Sequence, residues 1–415
     1  MKPRRPHPTY GCRVPIHRIA TAVVSLLLVG GLLATPSAAT AADHRLTRSA
    51  PTTSPTVVGG GEASSDEFGF VGALLQAEVF RQAGGYRAQY CAASLVNPTT
   101  MITAAHCLVD QRTGNRLRPK DVLVGFGSDL ASPTLRVIAL DDYAIHPGYR
   151  IKTNLNDIAV LYLSQPVNDF PTVELPVGAD VAAFSAPGTP AKVAGWGNTS
   201  SKRNRFPRDL QVANVEIFPN ASCGSGKAYR IADVTFDGFT RRDADRRTMI
   251  CAAGVDPAGD VVDACDGDSG GPLTVGSGDA RRLMGVVSWG QECATLAPGV
   301  YTRITAATDF LIAAGALPDQ APILAPTMEV LDRTARAIRL RITAPSDGTS
   351  VSAVAATATD SATGQTYTCS SAVRSGKRRA TCLVEGVPAD TEVRIEAISG
   401  NAAGNSPVSA PTVLN

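Results

Sequence analysis

The sequence lacks an excess of charge of either sign. Its 39 Lys and Arg stand against 37 Asp and Glu, a formal net charge of +2, which gives no case for a nucleic-acid binder. It has no CxxC pair and no histidine cluster, so no zinc site is expected. Beyond one run near the N-terminus, no apolar stretch is long enough to cross a bilayer. No internal repeat is evident. At 44% hydrophobic and 18% charged residues, the composition argues against wholesale disorder.

What is present begins with a leader. Lys2, Arg4, Arg5, Arg13 and Arg18 precede an apolar stretch over 19–34, and Ala39-Thr40-Ala41 follows as a small-residue cleavage site. That layout predicts a signal peptide over residues 1–41, and hence a secreted, extracellular protein that leaves no membrane segment once the signal is removed. The leader holds five basic residues and no acids, so the remainder carries +2 − 5 = −3. Residues 42–56 are rich in Thr, Ser and Pro and read as a propeptide.

Cys12 lies in the leader. The other eight cysteines are an even number in an exported chain, which favours disulfides. Spacing alone leaves their pairing open.

From residue 57 to 317 the pattern is short β-type runs between Gly, Pro, Asn and Asp turns, with VAGWG, MGVVSW and DIAVLYL as examples. This predicts an all-β barrel or sandwich, closed by a helix within 308–316. A Pro-rich linker spans 318–326. Alternating runs in 327–415 predict a second, small β-sandwich.

Three segments carry chemistry. They are Thr103-Ala104-Ala105-His106-Cys107, Asn156-Asp157-Ile158-Ala159-Val160-Leu161 and Gly267-Asp268-Ser269-Gly270-Gly271-Pro272. A serine hydroxyl is a weak nucleophile at neutral pH and needs a base, for which neutral imidazole is suited. The imidazole needs a carboxylate to fix its tautomer and to stabilise the cation that forms. His106, Asp157 and Ser269 are the candidates. The N–H groups of Gly267 and Ser269 are candidate donors to an oxyanion, worth ~3 kcal/mol for one donor.

Taken together, the three segments resemble those of the trypsin-like peptidases of the chymotrypsin type. Val57-Val58-Gly59-Gly60, Gly195-Trp196-Gly197, Ser288-Trp289-Gly290 and Pro298-Gly299-Val300-Tyr301 match further family segments. The resemblance covers about 57–316. It implies two six-stranded antiparallel barrels with the site between them, and no cofactor. It also implies the pairs Cys91–Cys107, Cys223–Cys251 and Cys265–Cys293, which leaves Cys369–Cys382 as a link between neighbouring strands of the second domain.

In that family the residue six before the nucleophile lies at the base of the primary pocket, and here it is Asp263. A carboxylate there favours a cationic side chain. Gly290 and Gly299 match the pocket walls, and Ser288 and Trp289 line the approach. Ala264 stands where many trypsins carry serine, so Arg is expected over Lys, its planar fork pairing with Asp263 in two bonds. Asp266 and Glu292 replace commoner neutral residues at the rim. The family also implies that an amine exposed by cleavage before Val57 pairs with Asp268, which makes the chain a zymogen. Thr56 does not suit self-activation by cleavage after a basic residue.

The stretch 127–137 has one acid, so no calcium is expected there. Arg241, Arg242, Arg246 and Arg247 lie in an insert, read either as a solvated loop or as a flank of the cleft. Residues 384–414 resemble part of a fibronectin type III module, with Val393 where that family often has tyrosine. Expected partners are proteins or peptides with Arg or Lys at the cleavage site and proteinaceous inhibitors. A polymer or a protein is expected for the C-terminal module. The alternative reading is a catalytically weak binding protein that acts mainly through that module.

Overall fold

A computed structural model describes residues 59–415 except 201–202, 319–320, 375–376, 402 and 415. The expected signal peptide, propeptide and Val57 lie outside the described residues. Among the described residues no helix is long and apolar enough to cross a membrane.

The first barrel comprises β1 (Val71–Gln76), β2 (Gln89–Asn97), β3 (Thr100–Thr103), β4 (Val122–Phe126), β5 (Arg136–Ile145) and β6 (Ala159–Leu163). They close in the order β1-β2-β3-β6-β5-β4. Leu74, Leu95, Ile102, Val124 and Leu161 are fully buried in its interior. Alternate residues of a strand face one side, so short Val, Ile and Leu runs suffice to fill a barrel of this size.

The second barrel comprises β7 (Pro190–Gly195), β8 (Gln211–Ile217), β9 (Met249–Val255), β10 (Pro272–Val275), β11 (Arg282–Trp289) and β12 (Gly299–Arg303). Its order is β8-β7-β10-β11-β12-β9, and pairing of Ala252 with Ile217 and Ala253 with Glu216 closes it. Val193, Ala213, Ile250, Leu273 and Tyr301 form its core.

Besides a single helical turn at Ser65–Phe68, the described residues form the helices α1 (Ala77–Ala88), α2 (Ala179–Phe184) and α3 (Thr308–Ala313). The sequence reading located α3. It did not foresee α1, which replaces a simple β1–β2 turn and is interrupted at Gly84, where φ is +76°. Glu78 bonds Arg81 and Gln82 one turn on, at 2.5 and 2.6 Å, a helix signal within this stretch.

The C-terminal strands form two sheets. One is β13 (Thr327–Arg333), β14 (Ala337–Thr343) and β17 (Arg379–Glu385). The other contains β15 (Ala353–Asp360), β16 (Thr366–Ala372) and β18 (Val393–Asn401), with two short strands after them. Ile338, Leu340, Val384, Val354 and Ile395 from both sheets share one core. The Cys369–Cys382 bridge joins β16 to β17 and therefore ties the two sheets together, rather than two strands paired within one sheet.

The segment entering these sheets is held by Asp347, which is fully buried. Its carboxylate accepts from the N–H groups of Ile323 at 2.9 Å and Leu324 at 3.2 Å, and from the Arg378 guanidinium at 3.0 Å.

Candidate active site

His106 sits on the single turn that follows β3, and Asp157 immediately precedes β6, so both belong to the first barrel. Ser269 lies in the turn before β10 and belongs to the second. The barrels therefore bring together residues far apart in sequence.

Asp157 is fully buried, and each of its carboxylate oxygens accepts hydrogen bonds. Oδ1 accepts from the His106 backbone N–H at 2.8 Å, and Oδ2 accepts from His106 Nδ1 at 2.7 Å. Ser288 Oγ donates to Oδ2 at 2.6 Å, and Thr302 Oγ1 donates to the Asp157 backbone oxygen at 2.8 Å. A carboxylate that accepts from Nδ1 places the proton there, which leaves Nε2 as the basic nitrogen of the neutral ring. Burial pushes the His106 pKa down, but the charge and hydrogen bond of Asp157 outweigh it and hold the pKa above its ordinary value.

Ser269 stands where two hollows meet. One is lined by His106, Cys107 and Tyr90, the other by Asp263 and Trp289, and Ser269 lines both. The Ser269 hydroxyl makes no hydrogen bond among the described residues. Catalytic hydrogen bonds are often long in unliganded enzymes and tighten with substrate.

Beside it, Gly267 has φ +98° and Gly270 has φ +79°, the left-handed region that glycine enters without strain. Among the described residues the N–H groups of Gly267 and Ser269 have no internal acceptor. They are thus available to an incoming oxygen. Gln89 Nε2 donates to the Gly267 carbonyl at 2.8 Å and so fixes the orientation of that peptide plane.

Asp268 is fully buried. Its Oδ1 accepts from Gly197 N–H at 2.7 Å and its Oδ2 from Cys265 N–H at 2.9 Å. Burial raises its pKa to about 6. No cation contributes to its setting among the described residues.

Asp263 and Ser269 both line a hollow of about 940 Å3. Asp263 is 1% exposed, and its Oδ1 accepts from Ala264 N–H at 2.8 Å. Burial pushes its carboxyl well above the usual carboxylate range. A side chain at Gly299 would run into Asp263 Oδ1, whereas Gly290 borders open space, its nearest neighbour for an added Cβ being Glu292 O at 3.9 Å. Tyr301 and Trp289 also line the hollow, and the Tyr301 hydroxyl and Trp289 Nε1 are buried without a hydrogen-bond partner among the described residues. Asp266 and Glu292 line the same hollow and are exposed.

Cys91–Cys107 braces the His106 turn, Cys265–Cys293 the hollow, and Cys223–Cys251 the second barrel. Cys91, His106 and Cys107 lie within 4.8 Å of one another, but both sulfurs are consumed in the disulfide and cannot ligate a metal. In the 127–137 stretch, Asp129 is paired with Arg208 at 2.8 Å. Arg241, Arg242, Arg246 and Arg247 line neither hollow at Ser269.

Sequence reasoning placed Ser288 on the substrate path and missed its bond to Asp157. It missed Thr302 and Gln89 altogether. For these residues the only signal is a partner in a distant part of the chain.

A family described as Trypsin matches residues 57–311. Transmembrane protease serine 11C of Mus musculus is 36% identical over 259 residues, 61% of this chain, and the chain spans about half of it, 52% of its length. Trypsin delta of Drosophila erecta is 35% identical over 216 residues, 52% of this chain and 74% of its own. Trypsin of Saccharopolyspora erythraea is 34% identical over 258 residues, 62% of this chain and 96% of its own. With two six-stranded barrels and a family match over most of its length, the chain belongs to the trypsin family, the trypsin-like serine endopeptidases.

Proposed function

We propose that the protein is a secreted endopeptidase that cleaves after Arg, and less readily after Lys, through an acyl-enzyme. The observation that supports this reading is the buried carboxylate of Asp263, without a counter-charge among the described residues, in the hollow that Ser269 also lines. A cation entering that hollow restores the ionised form of Asp263, which burial alone disfavours. An apolar side chain leaves the carboxylate uncompensated. Ala264 offers no hydroxyl to help hold an ammonium, so the two-pronged guanidinium is the better ligand.

In the proposed reaction His106 Nε2 takes the proton of Ser269 as Oγ attacks the scissile carbonyl. Asp157 stabilises the imidazolium that results. The carbonyl oxygen becomes an anion received by the N–H groups of Gly267 and Ser269. The imidazolium then gives its proton to the leaving amine, and water repeats the sequence on the ester.

Activation follows the same electrostatic logic. Asp268 has only backbone donors among the described residues, and the amine released by cleavage before Val57 would supply its missing charge. Ordering of the neighbouring turn with Gly267 then depends on that cut.

The test is cleavage profiling of the processed chain, starting at Val57, against a peptide library. Arg at the cleavage position should exceed Lys, and Asp263→Ser should abolish preference for both. Equal kcat/KM for matched Arg and Lys peptides would sink the ranking. Cleavage after apolar residues would sink the assignment of Asp263.

A further inference from the structure

Away from Ser269, two adjoining hollows collect positive charge. The first, about 460 Å3, is lined by Arg246, Arg247 and Arg303 of the catalytic unit and by Lys377 and Arg378 of the C-terminal sheets. The second, about 450 Å3, is lined by Arg341, Arg374, Lys377 and Arg379. Lys377 belongs to both, so the two form one basic surface.

Internal acids answer only part of this charge. Asp245 pairs with Arg247 at 2.6 Å, Asp347 with Arg378 at 3.0 Å and Glu329 with Arg341 at 2.7 Å. Asp309 also lines the first hollow, and no acid lines the second. Arg303, Arg374, Lys377 and Arg379 form no salt bridge with a carboxylate among the described residues. Arg303 is partly buried, and its guanidinium is met by neutral oxygens alone, Asn220 Oδ1 at 2.7 Å and the Met249 carbonyl at 3.0 Å. Burial without a counter-charge lowers its pKa to about 10. Such a cation gains from an external anion. The concentration of basic groups also runs against the balance of the chain, which beyond residue 41 is +2 − 5 = −3.

We propose that this surface binds an acidic polysaccharide, its sulfate or carboxylate groups seated on Arg303, Lys377 and Arg379. Neither hollow has an aromatic residue in its lining, so no platform exists on which nucleobases could stack. Between the cations stand hydroxyls that suit a sugar backbone, those of Ser185, Thr248, Thr305 and Ser346 in the first hollow. The surface would hold the enzyme on an anionic matrix while the hollow at Ser269 stays open to substrate. The inference stands apart from the peptidase reading, because its readout is binding.

The experiment uses the full processed chain and three probes: heparin, uncharged dextran and single-stranded DNA of matched length. Heparin should be retained and dextran not. Its log affinity should fall linearly with log salt between about 50 and 200 mM, as counterion release requires. Lys377→Ser with Arg379→Ser should reduce the slope by about two, one charge contact per residue. Hydrolysis of a small arginyl ester by this variant should be unchanged. As a second variant, Lys377→Glu should weaken heparin retention more than Lys120→Glu, an exposed lysine on the first barrel. Equal retention of either basic-surface variant and the parent would overturn the proposal. So would DNA binding tighter than heparin, or no heparin retention at low salt.

Discussion

Each oxygen of the Asp157 carboxylate has a donor, and Ser288 shares Oδ2 with the imidazole. Ser288→Ala removes a neutral donor and leaves the negative charge more fully directed at the ring. The His106 pKa, already above its ordinary value, should rise further, and the acidic limb of kcat/KM should move to higher pH. A pH–rate profile with an arginyl ester checks this, and an unmoved limb would assign Ser288 to packing alone. Gln89 acts one step further out. Gln89→Leu frees the Gly267 carbonyl and loosens the Gly267–Asp268 peptide, which adjoins the one that carries the Gly267 N–H; kcat should fall roughly tenfold with KM little changed, less than for loss of an oxyanion donor itself. Gln89→His, which retains a donor, should recover part of the rate, whereas a purely structural role would not favour histidine over leucine. His106, Asp157 and Ser269 could be proposed from sequence because each sits in a local frame of neighbours. Ser288 and Gln89 act on partners 131 and 178 residues away, so no window of sequence contains the relation.

At the scale of the element, the β runs could be read because buried strands of a small barrel must be short and rich in Val, Ile and Leu. Helix α1 escaped because its two adjacent glycines resemble a turn, and the Glu78 bonds to Arg81 and Gln82 are what support its first turn. Conversely, AIRLRIT and EVRIEAI alternate so regularly that β14 and β18 were plain. What alternation could not reveal is which sheet each joins, and hence that Cys369–Cys382 spans the sandwich. Its loop is short, with a sequence separation of 13, and double Cys→Ser replacement should cost the C-terminal sheets about 3 kcal/mol. Thermal unfolding should record an earlier transition for those sheets, while ester hydrolysis at low temperature stays unchanged. Loss of hydrolysis would mean that the C-terminal sheets support the catalytic unit directly.

At the scale of the whole molecule, the proposed activation predicts a link between processing and stability. Asp268 has its pKa raised to about 6 in a setting of backbone donors only. A folded-state pKa above the unfolded value favours the protonated form, so its contribution is present at pH below the ordinary carboxylate range. That contribution is lost as pH rises through about 6. An uncut Ser269→Ala chain should therefore lose stability across that interval, and the chain cut before Val57 should not, because its new amine would hold Asp268 ionised. Melting temperatures of the two forms between pH 4 and 7 decide the matter, and parallel curves would remove Asp268 from the activation device.

The division of labour between the barrels has a genetic corollary. A fragment encoding the first inherits a proton acceptor with nothing to deprotonate, and one encoding the second inherits an alcohol with nowhere to send its proton. Each half therefore carries only part of the proposed chemistry, and a chimera keeps it only if the incoming half supplies the same partner residues.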